Sequence, residues 1–218
     1  LLWQCMLLIL IQLMDCHLTL TGKKFGMKAN ILKKNLIALI LFFLNTSVDA
    51  NEEAKYDIIY KSNIYEIRFY PERLVVETKN NINSNSFKKL FNYISGTNYT
   101  SEKIEMTVPV TQIRKDDSNY MQFIIPSKFN KKTIPTPFNS DIQISKIKEG
   151  YFGVIEYSGK STNANFIKYS KILRKKLLED RVLIKGSPIK ATYNKPFTLP
   201  FLRRNEVMFN VLWKISEQ

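Results

Sequence analysis

The stretch GTNYTSEKIEMTVPV, residues 96–110, decides how the rest of this chain is arranged. It turns on a glycine, crosses a polar loop and enters a segment that alternates like a β-strand, which we predict from Lys103 to Ile113. One side of that strand carries Ile104, Met106, Val108 and Val110, and the other carries Glu105, Thr107, Pro109 and Thr111. A proline cannot donate to a strand ladder, so Pro109 indicates an edge or a bulge.

The residues before this stretch have the periodicity of an amphipathic helix. Apolar residues recur at i, i+3, i+4 and i+7, namely Phe87, Leu90, Phe91 and Ile94. Residues 83–85 offer candidate N-caps, and Gly96 ends the helix because glycine readily adopts positive φ. We therefore predict a helix whose inner face is formed by the four apolar residues.

Strand and helix patterns follow the same order in both halves of residues 51–218. The predicted strands are 56–60, 64–70, 73–78, 103–113, 120–125, 142–148, 152–157, 189–193 and 207–215. A second helix begins at Ser161 or Thr162 and ends near Glu179. Its inner face is Phe166, Tyr169 or Ser170, Leu173 and Leu177. We predict an α+β fold: a distorted antiparallel β-barrel of two pseudo-symmetric halves, each strand-strand-helix-strand-strand, with two flanking helices.

Residues 27–50 have the three parts of a secretory signal peptide: a basic start, an apolar run at 36–44 and a polar end at Ala50. The apolar run is about half of the roughly 20 residues that a membrane-spanning helix needs. We expect an exported protein, periplasmic or secreted, with membrane attachment only if the signal is not cleaved. Residues 1–26 are interpreted as an upstream, non-native segment, and residues 51–218 as the folded domain.

The composition of residues 51–218 limits their chemistry. The two cysteines and the single histidine of the chain, Cys5, Cys16 and His17, all precede this region. The domain therefore lacks a thiol nucleophile, an imidazole base and any cysteine or histidine metal ligand. It carries 28 basic and 17 acidic residues, a formal charge of +11. Because its lysines are scattered rather than clustered, we expect no nucleic-acid partner.

Five separated motifs stand in a specific order along the domain. They are YEIRFYP (65–71), FKKLFNYISG (87–96), KIEMTVPV (103–110), YNKP (193–196) and FLRRNEV (201–207). This series, from Tyr56 to Trp213, resembles the SOUL haem-binding protein family. The resemblance implies a β-barrel-like SOUL-type domain with two helices. It also implies non-covalent binding of haem or a related tetrapyrrole on an apolar groove near the first helix, as in a carrier or buffer.

Under this resemblance, the groove needs an apolar face for the porphyrin and cations for its propionates. The residues that we assign to it are Phe87, Leu90, Phe91, Ile94, Met106, Lys88 and Arg203. The helix face also fits a purely structural role in the core, and the arginines before Glu206 also fit ion pairing that fixes the last strand. Haem-binding members carry basic residues along the helix, whereas Ser84 and Asn92 at the corresponding positions are uncharged.

An iron ligand, without a histidine in the domain, must come from another residue type. Tyrosinate and thioether groups also bind haem iron, so Tyr93, Tyr99 and Met106 are candidates, although each also fits ordinary packing. Tyr93 is the predicted metal ligand.

Enzyme chemistry is not indicated. Strand carboxylates such as Glu77 and Glu105 have no partner base in the sequence, and no glycine-rich phosphate loop is present. We therefore expect a non-catalytic binding protein. The alternatives are an interaction or structural protein of the same fold that no longer binds haem, and a binder of another apolar small molecule.

Overall fold

The computed structural model describes residues 52–80 and 85–213. The predicted upstream segment and signal peptide, residues 1–50, lie outside them. The strands are β1 (Glu52–Glu53), β2 (Asp57–Lys61), β3 (Glu66–Tyr70), β4 (Arg73–Lys79), β5 (Thr107–Val108), β6 (Val110–Lys115), β7 (Ser118–Ile124), β8 (Gln143–Ile147), β9 (Gly150–Tyr157), β10 (Leu183–Thr192) and β11 (Asn205–Leu212). The α-helices are α1 (Ser86–Ile94) and α2 (Asn163–Glu179), and a short 3-10 helix spans Pro200–Leu202.

Nine of the strands form one antiparallel sheet in the order β2-β3-β9-β11-β10-β6-β7-β4-β8. This confirms the α+β class with a large antiparallel sheet and two helices. The predicted closed barrel is not found, because closure would require the two edge strands to pair. Within the described residues, β2 pairs only with β3 and β8 only with β4. All five residues of β2 are exposed, as befits an open edge.

Both helices cover the same face of the sheet. Directly opposite cross-strand partners share a face. One row of such partners is Val207, Lys190, Gln112 and Met121. Val207 packs under α2 and Met121 packs under α1. The next row is Glu206, Ala191, Thr111 and Gln122. That row lies on the opposite face, where a third core cluster includes Val75, Ile124 and Phe152.

Helix α1 packs on the sheet with a different face from the predicted one. Its buried residues are Ser86, Leu90, Tyr93 and Ile94. Phe87 and Phe91, which were predicted to face inward, are 44% and 46% exposed. The packed face is rotated about the helix axis so that it includes Tyr93. The Tyr93 hydroxyl can be buried because it donates a hydrogen bond to the carbonyl oxygen of Pro135 at 2.7 Å. The chain leaves the helix through Gly96, at a φ of 107°, as predicted.

The loop after α1 is organised by one buried side chain, Asn98. Its amide nitrogen donates to the carbonyl oxygens of Tyr93 and Glu102, at 3.2 and 2.7 Å. Its amide oxygen accepts from the backbone N–H groups of Thr100 and Glu102. Because both ends of the loop bond to this residue, the loop leads from α1 into the sheet along a defined path.

The strand predicted from Lys103 to Ile113 is divided into β5 and β6 by Pro109, so the predicted interruption of the ladder is confirmed. The predicted alternation does not separate core from solvent in this segment. Thr107, Pro109 and Thr111 are buried on the side that also carries the exposed Glu105. Strand β6 lies between β10 and β7 in the middle of the sheet, and both faces of the sheet carry a core cluster.

Helix α2 matches its prediction. Thr162 is the N-cap, and its hydroxyl accepts from the Asn165 N–H at 3.2 Å. Leu173 and Leu177 are fully buried on the predicted inner face. A Cβ atom at Gly153 of β9 would lie 2.9 Å from a Leu177 methyl carbon, so the glycine permits the close approach of α2. No helix in the described part of the chain is long and apolar enough to cross a membrane.

Candidate functional site

The outer side of α1 presents two exposed aromatic rings, those of Phe87 and Phe91, which we call the α1 aromatic surface. The rings stack with an interplanar angle of 11° and centroids 6.0 Å apart. Phe87 also contacts the ring of Phe123 edge-on at 5.3 Å, and Phe123 is 1% exposed. The surface is therefore anchored to the core, and it offers a flat aromatic ligand two parallel side chains at the spacing of one helical turn.

The other apolar residues predicted for the site lie beneath or beside this surface. Leu90 and Ile94 are buried in the core under α1, and Met106 is partly buried against the same cluster. They support α1 rather than present an accessible face. The predicted apolar set is thus brought together in one region, but only Phe87 and Phe91 are open to a ligand.

Charge around the α1 aromatic surface comes from two adjacent lysines. Lys88 is exposed and has no ion-pair partner among the described residues. Lys89 pairs with Asp141, with 2.6 Å between its Nζ and a carboxylate oxygen. Lys88 is therefore the cation available to a carboxylate bound beside Phe87. Asn92 is exposed and uncharged on the same helix, whereas Ser84 lies outside the described residues.

Tyr93, the predicted metal ligand, is not presented to a ligand. Its side chain is 1% exposed and its hydroxyl proton is committed to the Pro135 carbonyl oxygen. Burial raises the pKa of Tyr93, which opposes formation of the tyrosinate that would bind iron. Tyr99 is 67% exposed and packs on Phe138 with ring centroids 4.4 Å apart. No group of three or more metal-ligating side chains occurs in residues 52–80 and 85–213.

Arg203 is not brought to the α1 aromatic surface. It lies between the 3-10 helix and β11, which packs beneath α2. Its guanidinium donates to the backbone carbonyl oxygens of Pro196 and Thr198. These bonds give Arg203 a structural role in the loop before the last strand.

The neighbouring residues of the same motif form a buried ionic cluster on the face opposite the helices. Glu206 is fully buried and accepts from Arg68 at 3.0 Å, from Arg204 at 2.8 Å and from the Tyr193 hydroxyl at 2.7 Å. Burial and the nearby Glu206 carboxylate raise the pKa of Tyr193. This geometry supports the structural interpretation of the motif, since it joins β11 to β3 and to the end of β10.

A second buried acid on this face is Glu77 of β4. Its oxygens accept from Lys115 at 2.7 Å, Gln122 at 2.6 Å and Ser145 at 2.7 Å. Burial acts to raise the pKa of Glu77, but these three donors outweigh it and the pKa is lowered. The sequence signal was a single acid, Glu77, two residues after Val75 on the same side of a strand that is otherwise apolar at its centre.

Comparison with known proteins gives a family and a fold. A family model described as SOUL heme-binding protein matches residues 51–210. No curated protein matches the chain.

Among solved structures, the chain is similar to the EcmrR C-terminal domain (TM-score 0.52, 13% identity, covering 72% of this chain and 98% of that one). It is also similar to an uncharacterized conserved protein from Listeria innocua (TM-score 0.51, 10% identity, 70% and 94%) and to a hydrolase from the same organism (TM-score 0.47, 11% identity, 71% and 94%). At these identities the first two likenesses indicate the fold alone. The third, with a TM-score below 0.5, supports no conclusion about this chain.

Proposed function

Because the chain belongs to the SOUL heme-binding protein family, we propose that it binds haem or a related tetrapyrrole non-covalently on the α1 aromatic surface, without catalysing a reaction. The observation that carries this proposal is the parallel, exposed pair Phe87 and Phe91 on the first helix. Aromatic stacking contributes about 0.5–1.5 kcal/mol for each ring pair beyond area burial. A porphyrin packed against this pair would gain contacts with both rings, and Lys88 would face a propionate.

The affinity in this proposal comes from the porphyrin ring rather than from the iron. Residues 51–218 contain no histidine, and an iron bond to Tyr93 would require the Tyr93–Pro135 hydrogen bond to break. We therefore expect hemin and iron-free protoporphyrin IX to bind with dissociation constants within about threefold, a free-energy difference of about 0.7 kcal/mol. Hemin binding that is tighter by a hundredfold would instead require a strong axial ligand.

The experiment is an absorbance titration of the purified protein with hemin. A saturable shift of the Soret band is expected for the wild type, with weaker binding in Phe91→Ala. Phe197→Ala is the matched control, since it removes a phenylalanine that is 97% exposed in the loop beside Arg203. The control should leave the hemin affinity unchanged. A linear titration without saturation, or equal affinity in Phe91→Ala, would contradict the proposal.

Export is the second part of the proposal, and the signal-peptide pattern at residues 27–50 supports it. A weak haem binder outside the cytoplasm would act as a carrier or buffer. Recovery of mature protein whose first residue is Asn51 would support cleavage after Ala50. A cell-associated protein that retains residues 27–50 would contradict it.

A second candidate function is a protein interaction through the same surface without haem. It is favoured by the burial of Leu90 and Ile94, which narrows the apolar area open to a porphyrin. Exposed aromatic rings on a helix also fit a groove in a partner protein. Absence of any hemin binding, together with an oligomer or complex that Phe91→Ala disrupts, would favour this function.

A further inference from the structure

A cavity of about 280 Å³ and a second of about 220 Å³ share Arg73 in their walls. On β4, Leu74 and Val76 pack under α1, so the alternate residues Arg73 and Val75 point to the other face. The smaller cavity, which we call the Arg73 cavity, is lined by residues from β3, β4 and β6–β11. It is therefore separated from the α1 aromatic surface by the sheet.

The walls of the Arg73 cavity are mostly apolar. Ile124, Phe152, Ile189 and Met208 line it together with Tyr70, and no acidic residue does. A volume of about 220 Å³ is below the roughly 300–1,000 Å³ of pockets that hold drug-sized ligands. The cavity therefore suits a compact apolar molecule that is smaller than a porphyrin.

Arg73 is a partly buried cation at this cavity that has no ion-pair partner among the described residues. Its Nε and Nη1 atoms are buried and have no hydrogen-bond acceptor among the described residues. The guanidinium lies over the ring of Tyr70 at 4.2 Å and near that of Phe152 at 5.4 Å. These rings supply part of its stabilisation, but they accept no N–H bond in the guanidinium plane. Burial lowers the pKa of Arg73, as expected for a cation without a carboxylate partner.

The other two cations that line the cavity are already paired. Lys115 contacts Glu77 with its Nζ 2.7 Å from a carboxylate oxygen, and Lys146 pairs with Glu72. Neither acid lines the Arg73 cavity. The local field is therefore positive, and Arg73 is the group whose charge a ligand would neutralise.

We propose that the Arg73 cavity binds a small amphipathic organic anion, an aryl or alkyl carboxylate. The carboxylate accepts a charge-assisted hydrogen bond from one of the unpartnered N–H groups of Arg73, at Nε or at Nη1. The apolar body of the ligand lies against Ile124, Phe152 and Met208. This site is independent of haem binding at the α1 aromatic surface, so either proposal can fail without the other.

The probe is 1-naphthoate, measured by isothermal titration calorimetry, with 1-naphthamide as its uncharged match. Charge-assisted hydrogen bonds are roughly twice as strong as neutral ones, so we expect saturable binding of the acid and at least about tenfold weaker binding of the amide. Arg73→Met, which keeps the length of the side chain and removes its charge, should weaken naphthoate binding by at least about tenfold. Arg114→Met removes the same group from the exposed end of β6, where Arg114 pairs with Asp117, and should have no effect.

A second measurement needs no variant. In the wild-type protein, the Arg73 Nε–H resonance should shift on addition of 1-naphthoate and remain in place with 1-naphthamide. Saturable naphthoate binding with both signatures supports the proposal. It is overturned by equal affinity for acid and amide, by an unchanged dissociation constant in Arg73→Met, or by no saturable binding of the acid, in which case water solvates Arg73.

Discussion

Glu206 of β11 is the residue whose substitution tests the buried ionic cluster most severely. Glu206→Gln keeps the shape of the side chain and removes its charge. The carboxylate is fully buried and receives hydrogen bonds from Arg68, Arg204 and Tyr193. Breaking a buried ion pair by neutralising one partner costs about 3–5 kcal/mol when the other charge is left alone.

The two arginines are not left alone, which sets the expected magnitude. Arg68 keeps Glu66 at 2.7 Å, and Arg204 keeps Glu53 at 3.0 Å and Glu156 at 3.3 Å. We therefore expect the free energy of unfolding to fall by about 2–3 kcal/mol, below the full cost of an isolated buried charge.

Urea denaturation measures this loss. With a slope of about 2 kcal/mol per molar urea, the midpoint of Glu206→Gln should fall by about 1–1.5 M. Glu105→Gln is the control, because its side chain is 76% exposed and, among the described residues, its one ion-pair partner is Lys128 at 3.6 Å. The control should change stability by less than about 0.5 kcal/mol. Equal midpoints for Glu206→Gln and the control would refute the assignment of Glu206 as the residue that holds β11 to its neighbours.

Three further predictions concern other parts of the fold. The pKa of Glu77 is lowered, so the stability that its carboxylate contributes is present above its ordinary pKa of 4.5 and is lost as the pH falls through the folded-state pKa. The urea midpoint of Glu77→Gln should therefore fall less than that of the wild type between pH 6 and the acid range. Identical pH profiles for the two proteins would contradict this. Gly153→Ala should lower the free energy of unfolding by about 1–3 kcal/mol, because the added Cβ overpacks against Leu177. In the double variant with Leu177→Ala, the two losses should not be additive. Strict additivity would exclude the contact. Lys88→Ala should weaken hemin binding at low salt by about 0.5–1 kcal/mol, and this loss of binding free energy should shrink at high salt. A loss that does not depend on salt would argue against a contact between Lys88 and a propionate.

The sequence predicts α2 well because its local signals agree. The Thr162 cap begins the helix, and its inner face is apolar while the opposite face is rich in lysine. The local sequence is therefore sufficient to predict both where α2 begins and which of its faces is buried.

The orientation of α1 could not be predicted in the same way. Phe87, Leu90, Phe91, Tyr93 and Ile94 surround much of the helix, so periodicity permits more than one inner face. The choice depends on a distant acceptor, the Pro135 carbonyl, that satisfies the Tyr93 hydroxyl. Consequently the sequence could not separate the residues that α1 exposes, Phe87 and Phe91, from those that it buries.

The ionic clusters were beyond sequence reasoning for a related reason. Arg68 and Glu206 are 138 residues apart in the chain, and Glu77 and Lys115 are 38 apart. Only the sheet order brings them together, through the β3–β9–β11 and β4–β7–β6 neighbours. Strands β3 and β4 are consecutive in the chain, but other strands separate them in the sheet, and the linear order of strands does not reveal this.

The most direct test of haem binding at the α1 aromatic surface is the hemin dissociation constant of the double variant Phe87→Ala/Phe91→Ala relative to wild type. Loss of two ring contacts and their buried area should raise it by about thirtyfold or more, equivalent to about 2 kcal/mol. The thermal unfolding midpoint serves as a check that the domain remains folded. A dissociation constant equal to that of the wild type would contradict the assignment of the site.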